Sequence, residues 1–316
     1  MTRVAVIGAG SFGKNHVRVV RESARAELKF VVDSDAGRAR EHAGDAASTA
    51  DYRDVLGQID AAILAVPTVL HAEIGRALLE AGIDVLVEKP IAPTLEEADR
   101  LVDTAERNGR ILQVGHLERF NPAVIALENA ATLPLFFEIH RMSVFTLRSL
   151  DVDVVLDLMI HDLDIVLALA RAPLKDIRAA GISILSPKVD IANVRLEFED
   201  GCIANLTASR VSTEKVRKLR LFQPKQYISV DYARQSAAVF TVGGPQGIAF
   251  DQLQVTAAEP LKLQFDAFLD AVESRRQPKL NGATARKTLE IALAVLDKIK
   301  EHAGVVEKTL SSGWKP

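Results

Sequence analysis

The sequence predicts an α/β protein. An N-terminal doubly wound parallel sheet over residues 1–120 is followed, over residues 121–316, by an α+β domain with an open-faced, mostly antiparallel sheet. Three observations predict this. Up to about residue 120, short continuous apolar runs alternate with helical patterns; beyond residue 130, apolar residues instead fall at every second position; and a single apolar helix bearing ionisable groups lies between the two regimes. The 316 residues are 48% hydrophobic, enough apolar side chain for two domains.

In order along the chain, residues 4–7, 30–32, 61–66, 85–87 and 111–114 read as buried parallel strands, because each is short, continuous and closed by a turn residue or a charge. A helix over 71–81 stops at Gly82. Another opens at Thr94-Leu95-Glu96-Glu97, a capping box in which hydroxyl and carboxylate each satisfy an orphan N–H, and ends at Asn108-Gly109. Residues 153–170 are apolar nearly all round, which marks a helix buried on several sides. In 193–198, Val194, Leu196 and Phe198 alternate with Asn193, Arg195 and Glu197, the period of a sheet with one wet face. Asp200-Gly201 turns this strand into another over 203–211. Further strands are expected over 136–140, 182–185, 218–222 and 227–231, and helices over 261–274 and 283–302 close the chain.

A net charge of −3 offers nothing to a nucleic acid or an anionic membrane. The single cysteine, Cys202, excludes an internal disulfide framework and fits a reducing compartment. The first apolar run meets glycine at Gly8, too early for a signal-peptide core or a membrane span, so a cytoplasmic chain is expected. The seven histidines are scattered without zinc-motif spacing, and no metal is expected.

Gly8-Ala9-Gly10-Ser11-Phe12-Gly13 follows a predicted strand and opens a predicted helix, the setting of a dinucleotide-binding (Rossmann) turn. Its glycines give a tight turn, close approach to a pyrophosphate and close helix packing, while the helix N-terminus favours negative charge. Asp33 ends the second strand, twenty residues after Gly13, where a carboxylate accepts hydrogen bonds from ribose hydroxyls and repels a 2′-phosphate. NAD is therefore preferred, with Arg38 and Arg40 leaving room for NADP. Val66 and Pro67 stand at the end of the 61–66 strand, at the cofactor edge, and His71 follows as a candidate cofactor contact.

Glu88-Lys89-Pro90 sits directly after the apolar strand 85–87, where an α/β sheet presents its reactive groups. In the buried helix, Asp157, His161 and Asp164 recur at i, i+4 and i+7, along one face of a regular helix. Buried ionisable groups are costly unless paired or used. Spacing alone leaves a structural Asp157–His161 pair and a catalytic one equally open.

In order and position, the glycine turn, Glu88-Lys89-Pro90 and Asp157-Leu158-Met159-Ile160-His161 resemble the Gfo/Idh/MocA family of oxidoreductases, across nearly the whole chain. The resemblance implies that Lys89, Asp157 and His161 are the catalytic, substrate-contacting set. It further implies that the bond before Pro90 is cis and that the antiparallel sheet makes homodimer or homotetramer contacts. In these roles His161 accepts the hydroxyl proton, Asp157 orients its imidazole, and Lys89, also a cofactor contact, donates to the substrate oxygen and positions it beside the nicotinamide. Glu88 supports the cofactor site and Asp164 is a pairing residue.

His116-Leu117-Glu118-Arg119-Phe120-Asn121-Pro122, with residues 138–141 and 148–151, is similar to members acting on nucleotide-linked amino sugars. That implies oxidation of the 3-hydroxyl of UDP-N-acetylglucosamine, a step toward lipid A, with Arg119 and Asn121 as substrate contacts. Arg119, Arg141, Arg148 and Arg210 are of the type that forks onto a diphosphate. Two other readings stay open: a glycosidase using bound NAD for transient oxidation, and a non-catalytic NAD-sensing regulator, against which the retained Lys89, Asp157 and His161 argue.

Overall fold

The computed structural model describes residues 1–146, 152–243 and 247–311. The chain forms two compact units, one of Met1–Leu117 with Glu259–Leu289, the other of Glu118–Ala258 with the chain from Glu290 onward.

The chain begins β1 (Thr2–Ile7), α1 (Gly13–Glu22), β2 (Ala26–Val32), α2 (Ala36–Ala43), β3 (Ala47–Thr49), β4 (Ala61–Leu64), α3 (His71–Glu80), β5 (Asp84–Glu88), α4 (Leu95–Arg107) and β6 (Leu112–Gly115). The six strands form one parallel sheet in the order β3-β2-β1-β4-β5-β6. The order reverses between β1 and β4, the switch point at which such sheets bind ligands beyond their carboxyl ends. β4 and β5 are buried throughout because helices cover both faces, which is why they read as continuous apolar runs. Half of the capping box at Thr94 forms: its hydroxyl accepts the Glu97 N–H at 3.2 Å, while the Glu97 carboxylate accepts from that hydroxyl at 3.0 Å and not from the backbone N–H. Gly109 stops the helix with φ of 60°. β2 starts earlier than its apolar run because Glu27 and Lys29 interrupt the pattern, and β3 is too short and polar to show any.

The chain continues through α5 (Pro122–Ala130), β7 (Phe136–Val144), a π-helical turn (Val155–Met159) leading into α6 (Ile160–Leu169), β8 (Leu174–Ile182), β9 (Ile191–Phe198), β10 (Ile203–Ser212), β11 (Val216–Gln223), β12 (Gln226–Asp231), β13 (Ser236–Val242) and β14 (Ile248–Gln252). The eight strands of the second sheet are ordered β14-β13-β12-β11-β7-β10-β9-β8. Every pair is antiparallel except β7 with β10. One face packs Phe137, Val194, Leu196, Leu206, Leu219 and Ile228 against the helix at 160–169. Register places Phe136, Phe222, Tyr227, Phe240 and Phe250 opposite one another on the other face. Their successive ring centroids lie 5.9, 4.9, 5.1 and 5.0 Å apart.

The strand expected at 182–185 lies earlier, at β8. Residues 184–186 turn instead around Asp190, whose Oδ2 accepts the N–H groups of Ile184, Leu185 and Ser186 at 2.7, 2.6 and 3.0 Å. Burial pushes this carboxyl up, but the converging N–H groups and the Ser186 hydroxyl hold it down at about 2.

The last helices are α7 (Pro260–Ser274) and α8 (Gly282–Ser311). α7 belongs to the first unit, which therefore extends beyond residue 120: Leu261, Phe265, Phe268 and Leu269 complete a core with Val4, Val6, Val17, Val20, Ile63 and Leu86. Gln113 Nε2 donates to the Gln264 carbonyl, and Arg275 bonds Asp84 in the same unit. Among the described residues no helix is long and apolar enough to cross a membrane.

Candidate functional site

In the first unit the glycines of the turn after β1 are required by what surrounds them. At Gly8, with φ of 93°, a Cβ would stand 2.5 Å from the Ala65 carbonyl oxygen, and at Gly13 it would stand 1.8 Å from that of Gly8. Nothing lies within 4 Å of a Cβ built at Gly10. Gly8 and Gly13 thus weld strand, turn and helix together, while Gly10 leaves an open approach to the backbone. α1 starts beside it with no side chain capping its first turn, so its positive end faces that opening. Such an opening suits phosphate groups. Ser11 and Phe12 are exposed on the turn.

Asp33, at the end of β2, is 7% exposed and aimed at the same turn. Its Oδ2 accepts the Ala9 N–H at 2.8 Å and its Oδ1 accepts the Asp35 N–H at 3.0 Å. Arg38 Nη1 lies 3.3 and 3.4 Å from the two oxygens. The carboxylate is thus fixed against the turn, as a ribose-binding role requires, with a cation beside it. These groups fit the adenosine and pyrophosphate of a dinucleotide.

Beyond β4, Val66 is half-buried and Pro67 exposed. His71, offered from the sequence as a cofactor contact, is 1% exposed. Its Nδ1 lies 2.9 Å from the Pro90 carbonyl oxygen and its Nε2 3.0 Å from that of Val66. Burial lowers its pKa, the two carbonyls pull the other way, and the net direction is down. The ring joins the segments that follow β4 and β5. Lys89 is half-buried immediately after β5, and its bond to Pro90 is cis. Glu88 is buried, with Oε1 2.7 Å from His16 Nε2.

In the second unit, Asp157 and His161 are half-buried whereas Asp164 is 1% exposed. The i, i+4, i+7 pattern supposes one regular helix. Instead the turn carrying Asp157 is π-wound, with His161 in the α-helix that follows, and such turns are frequent at functional sites. Asp164 is a pairing residue, accepting from Arg119 Nη1 at 3.2 Å, while Arg119 Nε donates to Glu128 at 2.7 Å.

Arg119, with 5% exposure, is therefore held by internal carboxylates. Arg141 is held likewise: its Nε and Nη2 fork onto Asp162 at 2.7 and 2.8 Å, and its Nη1 reaches Glu118 at 2.9 Å. Arg210 faces Asp190 at 3.1 Å. Asn121, the other substrate candidate, caps α5 by accepting the Ala123 N–H and donates to the Tyr232 carbonyl. The run 138–141 divides by strand alternation, Glu138 and His140 lying on the open face and Ile139 and Arg141 on the packed one. Arg148 and the rest of 148–151 lie outside the described residues.

Sequence reasoning missed Asp162 and His16. Asp162, next to His161, takes the Arg141 fork and the Tyr232 hydroxyl at 3.3 Å. A third acid inside an apolar helix, beside Asp157 and Asp164, was its visible signal. For His16, the signal was a histidine on the buried face of the helix that the glycine turn opens.

The family model described as "Oxidoreductase family, NAD-binding Rossmann fold" matches residues 2–116, and that described as "GFO/IDH/MocA C-terminal domain" matches residues 135–228. The UDP-N-acetylglucosamine 3-dehydrogenase of Acidithiobacillus ferrooxidans is 34% identical over 301 residues, covering 93% of this chain and 96% of that protein. Its solved structure superposes with a TM-score of 0.90 at 32% identity, over 95% of this chain and 98% of the other. A levoglucosan dehydrogenase solved with NADH and levoglucosan shares the fold, with a TM-score of 0.85 at 18% identity over 95% of this chain and 98% of the other.

Proposed function

This chain belongs to the Gfo/Idh/MocA family of NAD-binding oxidoreductases, and from that premise we propose that it oxidises the 3-hydroxyl of UDP-N-acetylglucosamine. The observation that carries this reading is the 34% identity, sustained over 93% of the chain, to a dehydrogenase of that name. The enzyme is a dehydrogenase acting on CH–OH groups. When bound, NAD supplies the hydride acceptor. The remaining work falls to side chains: His161 takes the hydroxyl proton, Asp157 orients the imidazole and stabilises its protonated form, and Lys89 donates a hydrogen bond that holds the substrate oxygen. Because Arg119, Arg141 and Arg210 are bound to internal carboxylates, they serve this reading as structural cations and not as a diphosphate clamp.

The test is a panel of UDP-sugars and free polyols with NAD. NADH and a 3-keto sugar nucleotide are expected in equal amounts from UDP-N-acetylglucosamine. Release of free sugar with no net NADH would show the glycosidase instead.

We read the cofactor as NAD in preference to NADP, because the Asp33 carboxylate is fixed against the turn where the ribose is expected. Arg38 softens that preference by lying over the same carboxylate. Asp33→Ala is expected to raise the KM for NAD far more than that for NADP; equal changes in the two constants would remove the assignment.

The aromatic ladder supports a homo-oligomer formed through the open sheet. Phe222 is 37% exposed and Phe250 59%, with Val242 at 60% and Ile248 at 68% beside them, an apolar stripe that water covers poorly. Light scattering should give a multiple of 34.3 kDa, and Phe240→Ser with Phe250→Ser should lower it. A wild-type monomer would oppose this reading.

A further inference from the structure

The roles proposed above leave one buried pair without a purpose. His16 is fully buried on α1, three residues past Gly13, and its Nε2 lies 2.7 Å from Glu88 Oε1. Two apolar side chains would fill this position without the expense of desolvating an imidazole and a carboxylate. The carboxylate is also shaped into place from the opposite strand. A Cβ at Gly115, the register partner of Glu88, would stand 2.7, 2.8 and 2.9 Å from the three atoms of that carboxyl group. The side chain of Glu88 is thus gripped between a helix and a strand.

What the grip controls is the next residue. Lys89 follows Glu88 directly, and on its other side the Pro90 carbonyl lies 2.9 Å from His71 Nδ1. The segment presenting Lys89 is therefore tied down on both flanks, by His16 through Glu88 and by His71 through Pro90. The first of these ties runs to α1, whose N-terminus forms the phosphate cradle. Phe12 of that turn sets its ring edge-on to His16, with centroids 5.3 Å apart. One helix thus holds both the cofactor turn and the lysine's strand.

We propose that His16 is a positioning residue for Lys89, acting through Glu88. The proposal rests on the reading that Lys89 touches the substrate oxygen. A hydrogen-bond donor on a flexible side chain aids the reaction only when its backbone is held to a fraction of an ångström, and supporting residues on rigid elements supply that.

The test is a double-mutant cycle of His16→Leu with Lys89→Met, read as kcat and, separately, as the Kd for NAD. His16→Leu is expected to lower kcat by about tenfold to a hundredfold, the scale of a slightly misplaced group, while the Kd for NAD stays within about threefold. In the Lys89→Met background the same substitution should produce no further loss. His16→Gln, which keeps an N–H able to reach Glu88, should recover most of the activity. Should His16→Leu fail to fold, Glu88→Gln takes its place in the same cycle. Equal losses in both backgrounds, or wild-type kcat for the folded variant, would overturn the positioning role alone. Wild-type turnover in Lys89→Met would overturn the catalytic reading of Lys89 and this inference with it.

Discussion

Replacing His161 by alanine is expected to lower turnover by about 10²–10⁴, the usual range for a general acid–base group. That corresponds to roughly 3–5 kcal/mol of barrier. A secondary alcohol does not release hydride readily while its hydroxyl proton stays in place, so a base must take the proton as the C–H bond breaks. Histidine is the side chain whose ordinary pKa suits that exchange near neutrality. His161 is half-buried at the start of α6, behind the π-wound turn that carries Asp157. The turn proposed to hold the dinucleotide, by contrast, comprises Gly8, Gly10 and Gly13, with Asp33 beside it, in the first unit. The variant should therefore bind NAD with nearly unchanged Kd, measured by fluorescence titration, while kcat falls. Near-normal kcat would mean that another group is the base. On the proposed reading Asp157→Asn should fall between wild type and His161→Ala, because it would remove the orientation of the imidazole but leave the imidazole.

Arg141→Met should be the most destabilising of the single substitutions considered. The residue is 2% exposed, and its guanidinium serves Asp162 through two hydrogen bonds and Glu118 through one. Removing one partner of a buried charge pair typically costs about 3–5 kcal/mol, because the other charge stays buried without compensation. At about 2–4 °C per kcal/mol for a unit of this size, Tm should fall by roughly 6–20 °C. The pH dependence follows from Glu118, whose carboxyl burial pushes up but which Arg141 and Arg217 hold below its ordinary value. A depressed carboxyl contributes stability that is present above its unfolded pKa and lost as pH falls through the folded one. Wild type should thus weaken on acidification below about pH 4.3. The variant should weaken less, so the gap between their melting temperatures narrows. Arg141→Met combined with Asp162→Leu should recover part of the loss; a gap independent of pH would show that the network does not set stability.

β4, β5 and β6 were legible because they are buried throughout and show as uninterrupted apolar runs, each closed by a turn residue or a charge, whereas charges interrupt β2 and β3 shows no pattern at all. The second sheet was legible wherever one face is wet, as in β9. β13 and β14 lacked such a signal: alanines blur the alternation in Ser236–Val242, and every residue of Ile248–Gln252 is exposed. In the candidate site, the places of the glycine turn, Asp33 and Lys89 at strand ends were legible because spacing from a strand end is a sequence property. Arg119 and Asn121 could not be judged that way. Whether a polar residue faces a ligand or a buried partner depends on Asp164, Glu128 and the Tyr232 carbonyl, distant in sequence and brought close only by folding. For His71 likewise, the carbonyl partners at Val66 and Pro90 leave no trace in side-chain identity.

The return of Glu259–Leu289 to the first unit has a temporal consequence. A nascent chain leaving the ribosome at about 5–20 residues per second will have made all six strands of the first sheet long before Phe265 and Phe268 emerge. Until then the patch of Val17, Val20 and Ile63 that these rings cover has no lid. The nucleotide-binding half, although first to be synthesised, thus reaches its finished form only after most of the second half has been translated.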